Sequence, residues 1–281
     1  MARSWTVVAR AVALVVALVA LQSESAVAWN DCTDFTTRKT CKKEKANDCY
    51  WKKKKCHQKD NVYFVGNSFT IYRMVKPKSD MPALVQTLAK KGSVGKWAVD
   101  SYAKGSTFLK DHINNDDLVD EIFSRNRTLL VLQEQSQVLG GSESLWRSYS
   151  LNPTLKFAAK AKEKGIRVML YETWGYGNSY TSFQNNLDTN YAKLAEAAGV
   201  ELCPVGKVWR KAYEAYGNNY LDLYYTDKKH PSYLGHYLVA STFHACIHGE
   251  SPEGIQFYPN DVTEAQAAEI HAWVNEVILD A

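Results

Sequence analysis

The chain has 281 residues, a formal net charge of +4 and a hydrophobic fraction of 46%. This length suffices for one large domain, or for one domain with a small module beside it. Beyond the N-terminal segment, no stretch is long and apolar enough to span a bilayer, which argues against a transmembrane protein.

The first 28 residues have the pattern of a secretory signal peptide. Arg3 and Arg10 lead into an apolar run over residues 11–21, which is shorter than the roughly 20 residues that a spanning helix needs. Small residues at 26–28 (Ala-Val-Ala) provide a cleavage site. The pattern predicts a secreted mature protein that starts at Trp29, and the alternative is an uncleaved anchor.

Residues 29–59 are predicted to form a small disulfide-bonded module. Four of the six cysteines lie between Cys32 and Cys56, and an even number of cysteines in an oxidising compartment favours disulfides. Their spacings lack the Cys-x-x-Cys of a zinc site. We therefore expect two bridges here, with three connectivities open. Cys203 and Cys246 could form a third bridge across the main domain.

The same module is strongly basic. Residues 38–59 contain ten Lys or Arg against Glu44 and Asp48, a net charge of +8, whereas the rest of the mature chain is mildly acidic. Such a patch attracts polyanions, so the region Lys39 to Lys59 is a candidate binding site for an anionic polysaccharide. Nucleic acid is not the expected partner of a secreted protein. The alternative is a solvated loop that only aids solubility.

From Asp60 onward, short apolar runs alternate with helical patterns. Strands are predicted at 62–65, 94–102, 129–132, 166–171 and 200–205. Helices are predicted at 81–91, 108–123, 154–164, 187–198, 232–247 and 263–279. The alternation predicts an α/β fold for residues 60–281, with a central parallel sheet of about five strands between two helical layers.

Candidate catalytic residues follow the predicted strands, at the edge where open parallel sheets bind their ligands. Ser68 lies just past the first strand, and Asp227 and His230 are close enough in sequence to share one loop. A carboxylate, an imidazole and a hydroxyl can act as orienting acid, general base and nucleophile. The plainer alternatives are a chance Asp-x-x-His pattern, with Ser68 and His230 serving as helix caps.

Four motifs in order resemble the blocks of the SGNH (GDSL-type) hydrolase superfamily. They are Gly66-Asn67-Ser68-Phe69-Thr70, Gly105, Leu132-Gln133-Glu134-Gln135-Ser136 and Asp227-x-x-His230-Pro231-Ser232. The first and third motifs are similar to one particular branch of that superfamily. The resemblance covers about residues 61–258 and implies a flavodoxin-like three-layer α/β/α sandwich with serine esterase activity.

The resemblance also implies a role for each matched residue. Ser68 would be the nucleophile, His230 the general base and Asp227 the orienting acid. The backbone N–H groups of Ser68 and Gly105 would contribute to the oxyanion hole. The superfamily places an Asn in the third block, where this chain has glutamines; Gln135 is the best match for the third donor, and Gln133 remains the alternative.

Other chemistry is less favoured by the sequence. Nothing places Glu134 and Glu172 at the separation that glycoside hydrolysis requires. His236, His244 and His248 lie near helical spacing, but they belong to a predicted packed helix and do not indicate zinc. No nucleotide-binding glycine motif is present, so we expect no cofactor and no metal.

The sequence therefore predicts a secreted serine esterase that removes acyl groups, in the first place acetyl, from a carbohydrate or a small ester. Aromatic residues near the third and fourth strands could stack on sugar rings: Trp146, Trp174, Tyr176 and Tyr180. A lipase, a lysophospholipase or an acyltransferase with the same triad is one alternative. A non-catalytic protein that binds anionic glycans is the other.

Overall fold

The computed structural model describes residues 36–43, 49–52, 54–58, 60–72, 80–92, 94, 97–177, 179–217, 222–259 and 261–280. The predicted signal peptide and Cys32 lie outside these residues. None of the described helices combines the length and the apolar character needed to cross a membrane.

The N-terminal module contains a short helix and a hairpin: α1 (Arg38–Lys43), β1 (Cys49–Lys52) and β2 (Lys55–Gln58). The two strands pair antiparallel and form a sheet of their own. A disulfide between Cys41 and Cys56 ties α1 to β2, and Cys49 is also disulfide-bonded. The expectation that these cysteines form disulfides is therefore confirmed for the described part of the module.

A five-stranded parallel sheet forms the centre of the main domain. Its strands are β3 (Asp60–Gly66), β4 (Trp97–Ala103), β5 (Leu129–Leu132), β6 (Arg167–Tyr171) and β7 (Glu201–Cys203). Their spatial order is β4-β3-β5-β6-β7, and every neighbouring pair is parallel. The predicted fold class, a parallel sheet of about five strands between helical layers, is confirmed.

Helices cover both faces of this sheet. They are α2 (Met81–Lys91), α3 (Leu109–Ile113), α4 (Asp116–Phe123), α5 (Ser136–Leu139), α6 (Glu143–Trp146), α7 (Asn152–Glu163), α8 (Tyr180–Ala198), α9 (Val205–Tyr216), α10 (Tyr233–His248) and α11 (Glu264–Val274). Single π-helical turns occupy Arg147–Leu151 and Asn275–Leu279.

Successive residues of the strands point to opposite faces of the sheet and build two separate cores. In β3, Val62 and Phe64 pack with α2, α9, α10 and α11. Tyr63 and Val65 pack on the other face with α3, α4, α7 and α8. Both faces are therefore apolar, which explains why the strands read as continuous apolar runs.

The disulfide between Cys203 and Cys246 joins the edge strand β7 to α10. This pairing agrees with the expectation from the sequence. It fixes the outermost short strand to the helix that follows the His230 loop.

Several predicted boundaries are wrong. The helix expected over 108–123 is two helices, because the Asn115 side chain accepts the N–H of Leu118 and starts a new helix there. The helix expected over 187–198 begins at Tyr180, and the strand expected over 200–205 ends at Cys203. The last helix ends at Val274 and gives way to a π turn.

Candidate active site

The Ser68 hydroxyl stands on a tight turn that follows β3. The Asn67 side chain accepts the N–H of Phe69 at 3.1 Å, and the Asn67 carbonyl accepts the N–H of Thr70 at 3.0 Å. Gly66 is required just before the turn, because a Cβ there would lie 2.3 Å from Thr70 Oγ1. Ser68 is half-buried while both its neighbours are buried. The turn therefore presents its hydroxyl at the carboxyl edge of the sheet.

Asp227 organises the loop that carries His230. Its Oδ1 accepts the backbone N–H groups of Lys229 at 2.9 Å and His230 at 3.0 Å. The Tyr225 N–H donates to the His230 carbonyl at 2.8 Å. Trp174 lies after β6, and its Nε1 donates to the Lys229 carbonyl at 3.0 Å. The loop is thus closed on itself and anchored to a neighbouring strand end.

The structure brings the three predicted catalytic side chains together in one line of hydrogen bonds. His230 Nδ1 lies 2.6 Å from Asp227 Oδ2, and His230 Nε2 lies 2.8 Å from Ser68 Oγ. An ionised carboxylate can only accept, so Nδ1 carries the proton and Nε2 is free to accept from the serine hydroxyl. This is the tautomer that a general base needs.

Burial raises the pKa of the Asp227 carboxyl, but the hydrogen bonds from the His230 side chain and from two backbone N–H groups outweigh it. The net result is a pKa below the ordinary value. Asp227 is therefore an anion at neutral pH, and it can stabilise an imidazolium at His230.

The alternative that His230 caps the following helix does not fit. Ser232 is the cap of α10, since its hydroxyl accepts the N–H of Gly235 at 3.2 Å. Pro231 lies before this cap and pairs with Tyr224 across an isolated β-bridge.

Gln133, just after the end of β5, supports the turn that carries Ser68. Its Oε1 accepts the N–H of Asn67 at 2.9 Å and the hydroxyl of Thr70 at 3.0 Å. Its Nε2 donates to the Glu134 carbonyl at 2.6 Å, and the residue is only 1% exposed. This supporting role was not predicted from the sequence, where Gln133 was an alternative oxyanion donor.

The turn that contains Gly105 follows β4 and is held against the turn that carries Ser68. Asn67 Nδ2 donates to the Thr107 carbonyl at 3.3 Å, and the Lys104 N–H donates to the Gly66 carbonyl at 3.2 Å. Gly105 is exposed, and a Cβ there would have no atom within 4 Å. The position therefore tolerates a side chain sterically, so close packing does not explain the glycine.

Gln135 is half-buried and caps the short helix α5. Its Oε1 accepts the N–H of Gln137 at 2.5 Å, and its Nε2 lies 3.4 Å from Gln137 Oε1. Its assignment as the third oxyanion donor stays a prediction.

Glu134 and Glu172 are both fully buried. Glu134 Oε1 accepts the N–H groups of Leu109 at 3.1 Å and Gln135 at 2.7 Å. Burial raises the pKa of Glu134 to about 7, although these hydrogen bonds lower it. Burial also raises the pKa of Glu172 well above its usual range, and the neighbouring Asp188 adds to this shift. Glu134 therefore ties the end of β5 to the start of α3, and Glu172 Oε1 accepts from Gln184 Nε2 of α8 at 3.2 Å.

Three of the four aromatic residues proposed for sugar stacking are core residues. Trp146 and Trp174 are 0% exposed and Tyr180 is 4% exposed. Only Tyr176 is half-buried. It stacks on Phe69 and lies beneath the ammonium group of Lys229.

Within the described residues, no group of three or more His, Cys, Asp or Glu side chains could hold a metal ion. His236 and His244 are buried in α10, as expected for a packed helix.

No protein-family model and no curated protein matches this chain. Solved structures with the same architecture do. A DUF4886 family protein from Bacteroides uniformis superposes with a TM-score of 0.66 at 13% identity, over 79% of this chain and 95% of that chain.

Two further solved structures share this fold. A protein from Slackia heliotrinireducens, assigned as an SGNH hydrolase, gives a TM-score of 0.53 at 22% identity, over 68% of this chain and 100% of that one. The acetyl xylan esterase AlAXEase gives 0.52 at 18% identity, over 66% of this chain and 99% of that one. The chain therefore has the fold of SGNH hydrolases, which the resemblance in the sequence predicted.

Proposed function

We propose that this protein is a serine ester hydrolase whose nucleophile is Ser68. The observation that carries the proposal is the hydrogen-bonded line from Ser68 Oγ through His230 to Asp227, with distances of 2.8 and 2.6 Å. A serine hydroxyl is inert unless a base accepts its proton, and here the base and its orienting acid are already in place.

In the first half of the reaction, Ser68 Oγ attacks the ester carbonyl carbon while His230 Nε2 takes the hydroxyl proton. The tetrahedral intermediate collapses, the C–O bond to the alcohol breaks, and His230 returns the proton to the leaving oxygen. In the second half, water attacks the acyl-serine and gives up a proton to His230, which passes it to Ser68 as the acid departs.

The developing oxyanion requires hydrogen-bond donors beside Ser68. Among the described residues, no backbone carbonyl accepts the Ser68 N–H, and we propose that this group is one of the donors. We propose the Gly105 N–H and the Gln135 side-chain amide as the other two donors. Gln133 keeps the Ser68 turn in position instead.

For the substrate, we propose an acyl ester of a carbohydrate, in the first place an acetyl ester. The surface beside the triad favours a polar substrate, because Lys228 and Lys229 are exposed there. Lys229 also lies over the half-buried ring of Tyr176, which offers one aromatic edge for a sugar. The likeness to an acetyl xylan esterase agrees with this proposal. The N-terminal pattern supports secretion.

The test is hydrolysis of aryl acetate, butyrate and octanoate by the wild type and by Ser68→Ala. We expect the acetate to be preferred and the variant to lose about four orders of magnitude or more in kcat, since the triad acts as a unit. The melting temperature of the variant should stay near that of the wild type. Preference for octanoate would favour a lipase, acyl transfer to an added alcohol would favour a transferase, and comparable turnover by the variant would refute the assignment of Ser68.

A further inference from the structure

The ring of Tyr72 covers one face of the His230 imidazole. The two ring centroids are 4.1 Å apart and the planes differ by 3°. The Tyr72 hydroxyl donates to Asp227 Oδ2 at 3.3 Å, the same oxygen that accepts from His230 Nδ1. One side chain thus contacts both the base and the acid of the proposed triad.

We propose that Tyr72 is a positioning residue, which holds the imidazole by stacking and the carboxylate by its hydroxyl. The inference rests on the proposed function of Ser68, His230 and Asp227. The Tyr72 ring lies against one side of the imidazole, and the Phe69 ring lies 5.3 Å from the imidazole at a tilt of 43°. Rotation of the imidazole about its Cβ–Cγ bond would carry its edge into the stacked ring, so the pair limits this motion.

The two contacts of Tyr72 have opposite effects on the stability of the imidazolium form of His230. An aromatic face attracts a cation, so stacking stabilises the imidazolium that forms during reaction. The hydroxyl donates to the carboxylate and partly satisfies its charge, which weakens the attraction between Asp227 and the imidazolium. The effect of the Tyr72 hydroxyl should therefore be separable from the effect of its stacked ring.

Titratable side chains near His230 include Tyr72, which stacks on it, and His236 of α10. Tyr72 remains a hydrogen-bond donor, because burial and then the charge of Asp227 raise its pKa to about 12. From α10, burial lowers the pKa of His236 to about 3, and His230 adds to this shift. His236 is therefore neutral over the working range. Neither Tyr72 nor His236 therefore changes its ionisation between about pH 5 and 9, so differences among the Tyr72 variants in this range do not arise from these two groups.

The test compares Tyr72→Phe with Tyr72→Leu by pH profiles of kcat/KM on aryl acetate. Tyr72→Phe keeps the stack and loses the hydroxyl, so the plateau should fall about threefold and the acid limb should move to higher pH. Tyr72→Leu loses both contacts, so its plateau should fall about tenfold or more, mainly through kcat, and its acid limb should lie below that of Tyr72→Phe.

Tyr258→Phe is the control for the loss of a tyrosine hydroxyl. Its ring is exposed and its hydroxyl lies 3.4 Å from Glu264 Oε1, so this variant should leave the profile at the wild-type position. If both Tyr72 variants had the same plateau and the same acid limb as the wild type, the proposal would be overturned.

A second measurement decides the point without a substrate. The proton between His230 Nδ1 and Asp227 Oδ2 should give a low-field NMR signal in the wild type, and Tyr72→Leu should broaden it by faster exchange while near-UV circular dichroism stays unchanged. An unchanged signal would contradict the positioning role. An inactive wild type with the expected signal change would refute the esterase function and leave the positioning role intact.

Discussion

The Gln133 side chain supports the turn that carries Ser68. Replacing it with Met keeps its length but leaves the Asn67 N–H and the Thr70 hydroxyl without their buried acceptor. Each unsatisfied buried group costs about 1–3 kcal/mol. We therefore expect the free energy of unfolding of Gln133→Met to drop by about 2–4 kcal/mol, and kcat to fall at least about tenfold as the turn relaxes.

Urea denaturation and aryl acetate kinetics check this prediction. Gln86→Met, on the exposed side of α2, is the matched control and should change neither quantity. If Gln133→Met lowered kcat but kept the free energy of unfolding of the wild type, the Gln133 side chain would be acting on the substrate. It would then again be a candidate oxyanion donor.

Glu134 makes stability depend on pH. Its pKa is raised to about 7, chiefly by burial, whereas an unfolded glutamate titrates near ~4.3. The folded state therefore holds the proton more tightly, so this contribution is full below about pH 4 and is lost as the pH rises through about 7. Glu134→Gln cannot ionise and can still accept from Leu109 and Gln135.

We expect the stability of the wild type to fall relative to Glu134→Gln by about 1–3 kcal/mol between pH 5 and pH 8. Urea denaturation of both proteins across this range measures the difference. Comparing the two proteins cancels the contribution of Glu172, whose pKa is raised in the same direction. Parallel stability curves would show that Glu134 does not change its ionisation in this range.

For individual residues, the sequence predicted contacts between side chains that lie close together in the chain. Asp227 and His230 lie three residues apart and organise one loop, so their pairing could be foreseen. The contacts of Tyr72 with Asp227 and of Thr70 with Gln133 span 155 and 63 residues. Neither contact leaves a recognisable pattern in a short stretch of sequence, because each depends on how the strand ends meet in three dimensions.

Among the elements, the strands were predicted best because both faces of the sheet are apolar and each run is short. Helices with weaker patterns were missed or misplaced. The first half of α8 contains many Ser, Thr and Asn residues, which disfavour helix on their own. Tertiary contacts hold it, since Asn186 and Asn190 donate to carbonyls at the end of α5 and in the loop that follows.

The disulfide between β7 and α10 is predicted to stabilise the edge of the sheet. It closes a loop with a sequence separation of 43 residues, for which loop-closure entropy gives about 4 kcal/mol. The double variant Cys203→Ala/Cys246→Ala should lower the free energy of unfolding by about 2–4 kcal/mol.

Urea denaturation of the double variant tests this expectation. Reduction of the wild type under mild denaturant should move its transition toward that of the variant. Equal stability of the oxidised wild type and the variant would show that strand β7 is held by packing alone.

At the scale of the whole molecule, we propose that the N-terminal module binds polysaccharide and that the main domain hydrolyses the ester. Every residue of the proposed site lies between Gly66 and His230, while the module forms its own two-stranded sheet closed by the Cys41–Cys56 disulfide. We propose that its excess of lysines docks the protein on an anionic polysaccharide.

Deleting residues 29–59 should leave hydrolysis of a small neutral ester within about twofold of the wild type, because no proposed catalytic contact is removed. Retention on a column of anionic polysaccharide should weaken in the deletion protein. Wild-type retention should decline as salt is added, since exposed charges are screened beyond roughly 8 Å at physiological ionic strength. A neutral polysaccharide column is the control and should retain neither protein.

A folded deletion protein that is inactive on the small ester would mean that the module completes the active site. Retention of the wild type that ignores salt would indicate that the module binds sugar rings by stacking, and its positive charge would then serve solubility alone.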